Sequence, residues 1–224
     1  MDPDGLTTVR SRIASAARRS GRSEGDITLV AVSKGRSNDA VLAAYRKGQR
    51  DFGENRQQGL RDRIETGLPT DIIWHFIGPL QGRKVRYVAE HVALLHSFDR
   101  VDLIHRWQHS DTPVLLQFNM ASEPQKGGFD PAAADRILGL VTEAHIAVRG
   151  VMAIPPMVAN PNDARGWFAA LKDIFDRYRE VDDRIDTLSM GMSHDFEVAI
   201  EEGATTVRVG TAIFGNERSS ETNR

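Results

Sequence analysis

Eight short apolar runs, separated by stretches with helical spacing, constrain this chain more than any other feature of its sequence. The runs lie at 28–34, 52–55, 72–78, 94–98, 113–119, 148–154, 187–192 and 206–210. They are apolar almost throughout rather than alternating, which is the pattern of strands covered on both faces. Helices are expected at 38–47, 56–66, 84–91, 101–108, from Pro131 onward, from Pro161 to about 180, and at 195–202. Two of them start with a cap residue followed by proline, Asp130-Pro131 and Asn160-Pro161, and Gly48, Gly67 and Gly203 stand just past three helix ends. Strand–helix alternation predicts parallel strands, and eight units predict a (β/α)8 TIM barrel. An open doubly wound sheet is the runner-up, though no Gly-x-Gly-x-x-Gly follows any strand, which argues against a dinucleotide site.

A further helix at 6–20 precedes strand one. It carries Leu6, Val9, Ile13, Ala16 and Ala17 on one face and Arg10, Arg12, Arg18 and Arg19 on the other. The apolar face can fill the place of the missing last helix, and the arginines read as a solvated face. The 224 residues are expected to form one domain spanning 1–224, ordered over about 6–216 with a polar C-terminal tail. The net charge of -2 gives no reason to expect nucleic-acid or membrane affinity. With no cysteine, disulfides and thiolate metal sites are excluded. Met1-Asp2-Pro3-Asp4-Gly5 lacks the apolar core of a signal peptide, so a cytoplasmic protein is expected.

Lys34 ends the first run. Burying an ammonium is costly unless it is paired or gives up its proton. Such a lysine either snorkels to water or reacts as an amine, for instance as a Schiff base. In a barrel the functional groups gather at the carboxyl ends of the strands. Those positions hold Lys34, Asn55, His75 to Gln81, Asn119 to Lys126, Met152 to Pro156, Ser193-His194-Asp195 and Arg208 to Thr211. Two of them suit an anion. Gly210-Thr211 lets backbone N–H groups approach a phosphate closely, and Ser193 is expected to open the helix after strand seven. Taken singly, Ser193 reads as an N-cap and Gly210 as a turn residue. Together they flank one place in the barrel, with Lys34 beside it by closure, and a phosphate-bearing aldehyde satisfies all three.

Five motifs carry a family resemblance: Val30-Ala31-Val32-Ser33-Lys34, Phe52-Gly53-Glu54-Asn55, Trp74-His75-Phe76-Ile77-Gly78-Pro79-Leu80-Gln81, Leu188-Ser189-Met190-Gly191-Met192-Ser193, and Val207-Arg208-Val209-Gly210-Thr211-Ala212-Ile213-Phe214-Gly215. In order, and over roughly residues 6–216, they resemble the pyridoxal-phosphate homeostasis protein family, single-domain relatives of the alanine racemase N-terminal barrel. Asn119, Glu123, Lys126 and Gly128 resemble that family's loop after strand five. The resemblance implies a barrel binding pyridoxal 5′-phosphate (PLP) as an internal aldimine on Lys34. It implies phosphate contacts from Ser193, Gly210 and Thr211, with Arg208 facing the pyridine nitrogen and Asn55 lining the ring pocket. His75 and Met152 are further cofactor contacts by the same resemblance. The sequence departs from the family after Lys34, where Gly35-Arg36-Ser37 stands in place of Thr-Lys-Pro.

An arginine at the ring nitrogen stays protonated and keeps that nitrogen neutral, which makes the ring a poorer electron sink. Alanine racemase shares this arginine and adds an acid–base tyrosine from a C-terminal β-domain. No such domain is expected here, and Tyr45, Tyr87 and Tyr178 fall in helical segments. The expectation is therefore a PLP carrier acting in PLP homeostasis, not an enzyme. It is expected to be a monomer whose partners are PLP and PLP-requiring apo-enzymes. A PLP-dependent amino-acid racemase or lyase is the first alternative, and a cofactor-free Schiff-base aldolase the second. His91, His96, His105, His109 and His145 lack paired ligand spacing, so no metal site is expected.

Overall fold

The computed structural model describes residues 4–215, so the expectations for residues 1–3 and for the tail from 216 onward lie outside the described residues. Eight parallel strands close into a barrel in chain order: β1 Thr28–Val32, β2 Asp51–Glu54, β3 Ile73–Phe76, β4 Leu94–Phe98, β5 Val114–Phe118, β6 Val148–Ala153, β7 Thr187–Ser189 and β8 Thr206–Val209. Ala31 of β1 stands opposite Phe52 of β2 on one side and Val209 of β8 on the other, which closes the cylinder and excludes the open sheet. Around it run α1 Gly5–Arg19, α2 Asn38–Arg46, α3 Gln57–Glu65, α4 Val85–His91, α5 Asp102–Trp107, α6 Ala134–Glu143, α7 Arg165–Val181, α8 Phe196–Glu201 and α9 Thr211–Phe214.

The apolar runs follow from this geometry. Leu29, Ala31, Phe52, Trp74, Phe76, Leu95, Val207 and Val209 join the inner faces of the helices in one large core. Leu115 and Met152 have the opposite parity on their strands and form a second, small cluster with Leu94 in the barrel interior. Past the first residue or two of each strand neither face is wet, so neither can be polar there without a partner.

Local signals act as expected at most helix starts. The Ser37 hydroxyl accepts from Ala40 N–H at 3.2 Å and caps α2. Asp130 and Asn160 also cap, but each proline opens a 3-10 turn, Pro131–Ala133 and Pro161–Ala164, before α6 and α7 begin. Most strands are shorter than the sequence suggests, β1 and β7 among them. β1 stops at Val32, because the chain turns at Ser33, whose carbonyl accepts from Arg36 N–H. β7 stops at Ser189, and Met192 N–H bonds to the Asp195 carboxylate at 2.7 Å instead of to a strand.

The eighth unit keeps only the single turn α9, and α1 packs against both α8 and α9, taking the vacant helix position. The contact is close at Gly5, where a Cβ would lie 2.4 Å from the Ile213 carbonyl oxygen. The arginine face of α1 is not simply solvated. Arg12 bonds to Glu197 at 2.6 Å and lies over Phe196, and Arg19 bonds to Glu201 at 2.8 Å, because α8 presents its acids toward α1.

Candidate functional site

The carboxyl ends of β1 and β8 adjoin. A Cβ at Gly210 would meet Val32 Cβ and its carbonyl oxygen at 3.3 Å, so glycine keeps the two strand ends in contact. Beyond β1 lies Lys34. It is exposed on a turn two residues past the last strand residue, so the burial cost argued from sequence does not arise. Lys34 keeps the parity of Val30 and Val32, and it makes no hydrogen bond or ion pair with any other described residue.

The turn itself is firmly held. Arg63 of α3 is buried and donates to the Ser33 carbonyl at 3.0 Å and the Arg36 carbonyl at 2.6 Å, on either side of Lys34. Its Nε donates to Glu54 at 3.1 Å, and Glu54 also accepts from the Ser33 hydroxyl at 2.7 Å. The departing loop Gly35-Arg36-Ser37 has a structural use. Arg36 donates to the Gly215 carbonyl at 2.6 Å and lies over Phe214, which ties the Lys34 loop to α9. Gly35 takes φ +68°, a conformation that favours glycine.

At the start of α9 the Ser193 hydroxyl oxygen accepts from Gly210 N–H and Ala212 N–H, both at 3.3 Å. Ser193 therefore does not open α8, as the sequence suggested. Asp195 is the N-cap residue there, and its buried carboxylate makes α8 a poor place for an anion. The N–H groups that converge belong to α9, which includes Thr211 as its first residue. One turn has little macrodipole, so what it offers is backbone N–H donors, two of which bond to Ser193 Oγ.

Arg208 of β8 is 4% exposed and donates to the Ser189 hydroxyl and to the Ala153 carbonyl, the latter at 3.0 Å. Burial lowers its pKa to about 10, while Asp195 acts in the opposite sense. The guanidinium therefore remains charged at neutral pH. Asn55 is half-buried just past β2, where Gly78 allows close approach; a Cβ on Gly78 would lie 2.1 Å from the Asn55 carbonyl oxygen. Asn119, Glu123, Lys126 and Gly128 do come together. The Asn119 side chain bonds to the Glu123 and Lys126 backbones, and Lys126 pairs with Glu123. This loop walls a cleft in the mouth that also includes Ile77, Asp99 and Ile154.

Two expected residues sit deeper. Met152 is fully buried in the interior cluster under Ile154. His75 bonds to His96 and Asp51, and with Asp51 it lines an opening that also includes Thr28, Pro113 and Thr187 at strand starts, the end of the barrel away from Lys34. The sequence reading missed Ala212, Arg63, Ser189 and His96. Arg63 carried a signal, since it lies three residues after Leu60 on the apolar face of α3. His96 and Ser189 are polar residues within apolar strands, which is also a signal that a partner lies inside.

Residues 6–218 match the alanine racemase, N-terminal domain family. The pyridoxal phosphate homeostasis protein of Escherichia coli (strain K12) is 43% identical over 225 residues, covering 94% of each chain. Its namesake in Aquifex aeolicus (strain VF5) is 39% identical over 95% of this chain and 97% of that one. PipY of Synechococcus elongatus PCC7942, solved with PLP bound, superposes with a TM-score of 0.76 at 33% identity, over 92% of this chain and all of that one. A shared barrel, the five motifs in order and identity along nearly the whole length place this chain in the pyridoxal phosphate homeostasis protein family.

Proposed function

We propose that this protein binds PLP at the β1/β8 side of the barrel mouth and acts in PLP homeostasis as a carrier. The observation that carries the reading is the convergence of two backbone N–H groups on Ser193 Oγ beside the Lys34 turn. A hydroxyl oxygen there stands where a phosphate oxygen would accept the same bonds. When bound, PLP supplies an aldehyde that condenses with a primary amine and releases water. Lys34 is the amine, carried on a turn that Arg63 braces on both sides, and it makes no ion pair with any other described residue. Arg208 would offer N–H donors to a ring acceptor, and Asn55 would border the ring. The PLP-bound relative supports the same ligand class.

The carrier reading over an enzyme rests on the tyrosines. Tyr45 bonds to Asp71 at 2.6 Å, Tyr178 bonds to the Ala134 carbonyl at 2.6 Å, and Tyr87 stacks on His91. All three are on helices, and none of them lines the cleft in the mouth.

The test is PLP titration followed by borohydride reduction and peptide mass mapping. One PLP is expected on Lys34, with none retained at that site in Lys34→Ala. A reducible ligand elsewhere, or none, overturns the assignment. Alanine racemisation should not exceed a free-PLP control, and turnover that depends on Lys34 would favour the racemase instead.

A further inference from the structure

A buried line of polar side chains crosses the barrel interior and connects Arg208 to the far end. Arg208 donates to Ser189 Oγ. Ser189 Oγ lies 2.9 Å from His96 Nδ1, His96 Nε2 lies 3.0 Å from His75 Nδ1, and His75 Nε2 lies 3.0 Å from Asp51 Oδ1. His96 and Ser189 are wholly buried and His75 is 5% exposed. The five residues come from five strands, and the line ends on a carboxylate that borders the opening at the strand starts.

With both imidazoles neutral, the Asp51 carboxylate sets the direction of every bond back to Ser189. A guanidinium can only donate, so Ser189 Oγ accepts from it and keeps its own proton free to donate to His96 Nδ1. His96 then carries its proton on Nε2 and donates to His75 Nδ1, and His75 carries its proton on Nε2 and donates to Asp51. The reverse order places a bare Nε2 lone pair against the Asp51 carboxylate. Burial, together with the charge of Arg208, disfavours a charged His96, in keeping with this order.

We propose that Ser189, His96, His75 and Asp51 are positioning residues for Arg208: their ordered hydrogen bonds hold its guanidinium in one orientation, so that the site selects ligands with a hydrogen-bond-accepting ring nitrogen. The proposal rests on the PLP reading for its ligand, and the first arm of its test is independent of any ligand. His75 thereby has a role at the floor of the barrel rather than in contact with the cofactor.

The first arm is ¹⁵N-imidazole NMR of the ligand-free wild type. Both His75 and His96 are expected as the Nε2–H tautomer, and an Nδ1–H form of either overturns the proposal. The second arm compares PLP with its analogue bearing CH in place of the ring nitrogen. Wild type is expected to prefer PLP by at least about tenfold, as for a charge-assisted bond. Ser189→Ala and His96→Leu should collapse that preference while changing the analogue's affinity less than about threefold. His96→Gln, which keeps an acceptor and a donor, should restore most of it. Equal losses for both ligands would show that the line merely supports the fold and would overturn the proposal. If wild type binds neither ligand, the PLP reading fails, and the tautomers alone decide whether the bond order exists.

Discussion

At Ser193 a single hydroxyl oxygen accepts two backbone N–H groups, from Gly210 and Ala212. A phosphate would take those N–H groups over, and the hydroxyl could then turn to donate to it. Such a bond to a charged group is worth ~1.5–3 kcal/mol, so Ser193→Ala should weaken PLP binding by about one to two orders of magnitude. Pyridoxal, which lacks the phosphate, should bind weakly and change little. Calorimetric titration of both ligands into both proteins checks this, and equal losses would mean that Ser193 holds the loop rather than the phosphate. Gly210→Val should do more harm. Its Cβ alone would press on Val32 at 3.3 Å, and two further methyls would force the adjoining ends of β1 and β8 apart.

The element that matters most to Lys34 is α3, which supplies Arg63. Arg63 and Glu54 form a buried ion pair whose side chains are 9% and 3% exposed, and Arg63 also braces two carbonyls of the Lys34 turn. Removing one partner strands a buried charge, which costs roughly 3–5 kcal/mol. Arg63→Leu should therefore lower the urea midpoint sharply, and adding Glu54→Leu should recover part of the loss because no charge is then left alone. PLP trapping on Lys34 should stay impaired in the double variant, since the turn has lost its brace. If trapping recovers along with stability, the pair serves the fold alone. Helix α1 is a second such element. Gly5→Val should push it off α9 and lower the thermal midpoint, because the new Cβ would overlap the Ile213 carbonyl.

For the molecule as a whole, the barrel interior sets the response to acid. Burial, then the neighbouring His75 and Arg208, hold His96 well below its ordinary value of 6.5. Unfolded chains therefore bind a proton there that folded ones refuse. Stability should be fully present above about pH 6.5 and fall as the pH drops below it, with a slope of up to ~1.4 kcal/mol per pH unit from this one group. Thermal midpoints of wild type and His96→Gln between pH 7.5 and 5 check this, and the variant should show the flatter profile.

The sequence alone determined the element order and the barrel, because these follow from local patterns, and through motifs resembling a known family it pointed to Lys34, Ser193, Arg208 and Gly210 as candidates for one site. Apolar runs, caps such as Ser37 and Asp130, and contiguous motifs are all written within a few residues of the structure they specify. Tertiary structure alone decided that β1 ends before Lys34, that Ser193 serves α9 rather than α8, and that α8 ties down two arginines of α1. It also decided that His96 meets a serine 93 positions away. The physical reason is that an inward side chain's partners depend on strand register and barrel stagger. Those are set jointly by all eight pairings around the closed sheet, and no stretch of the chain encodes them by itself.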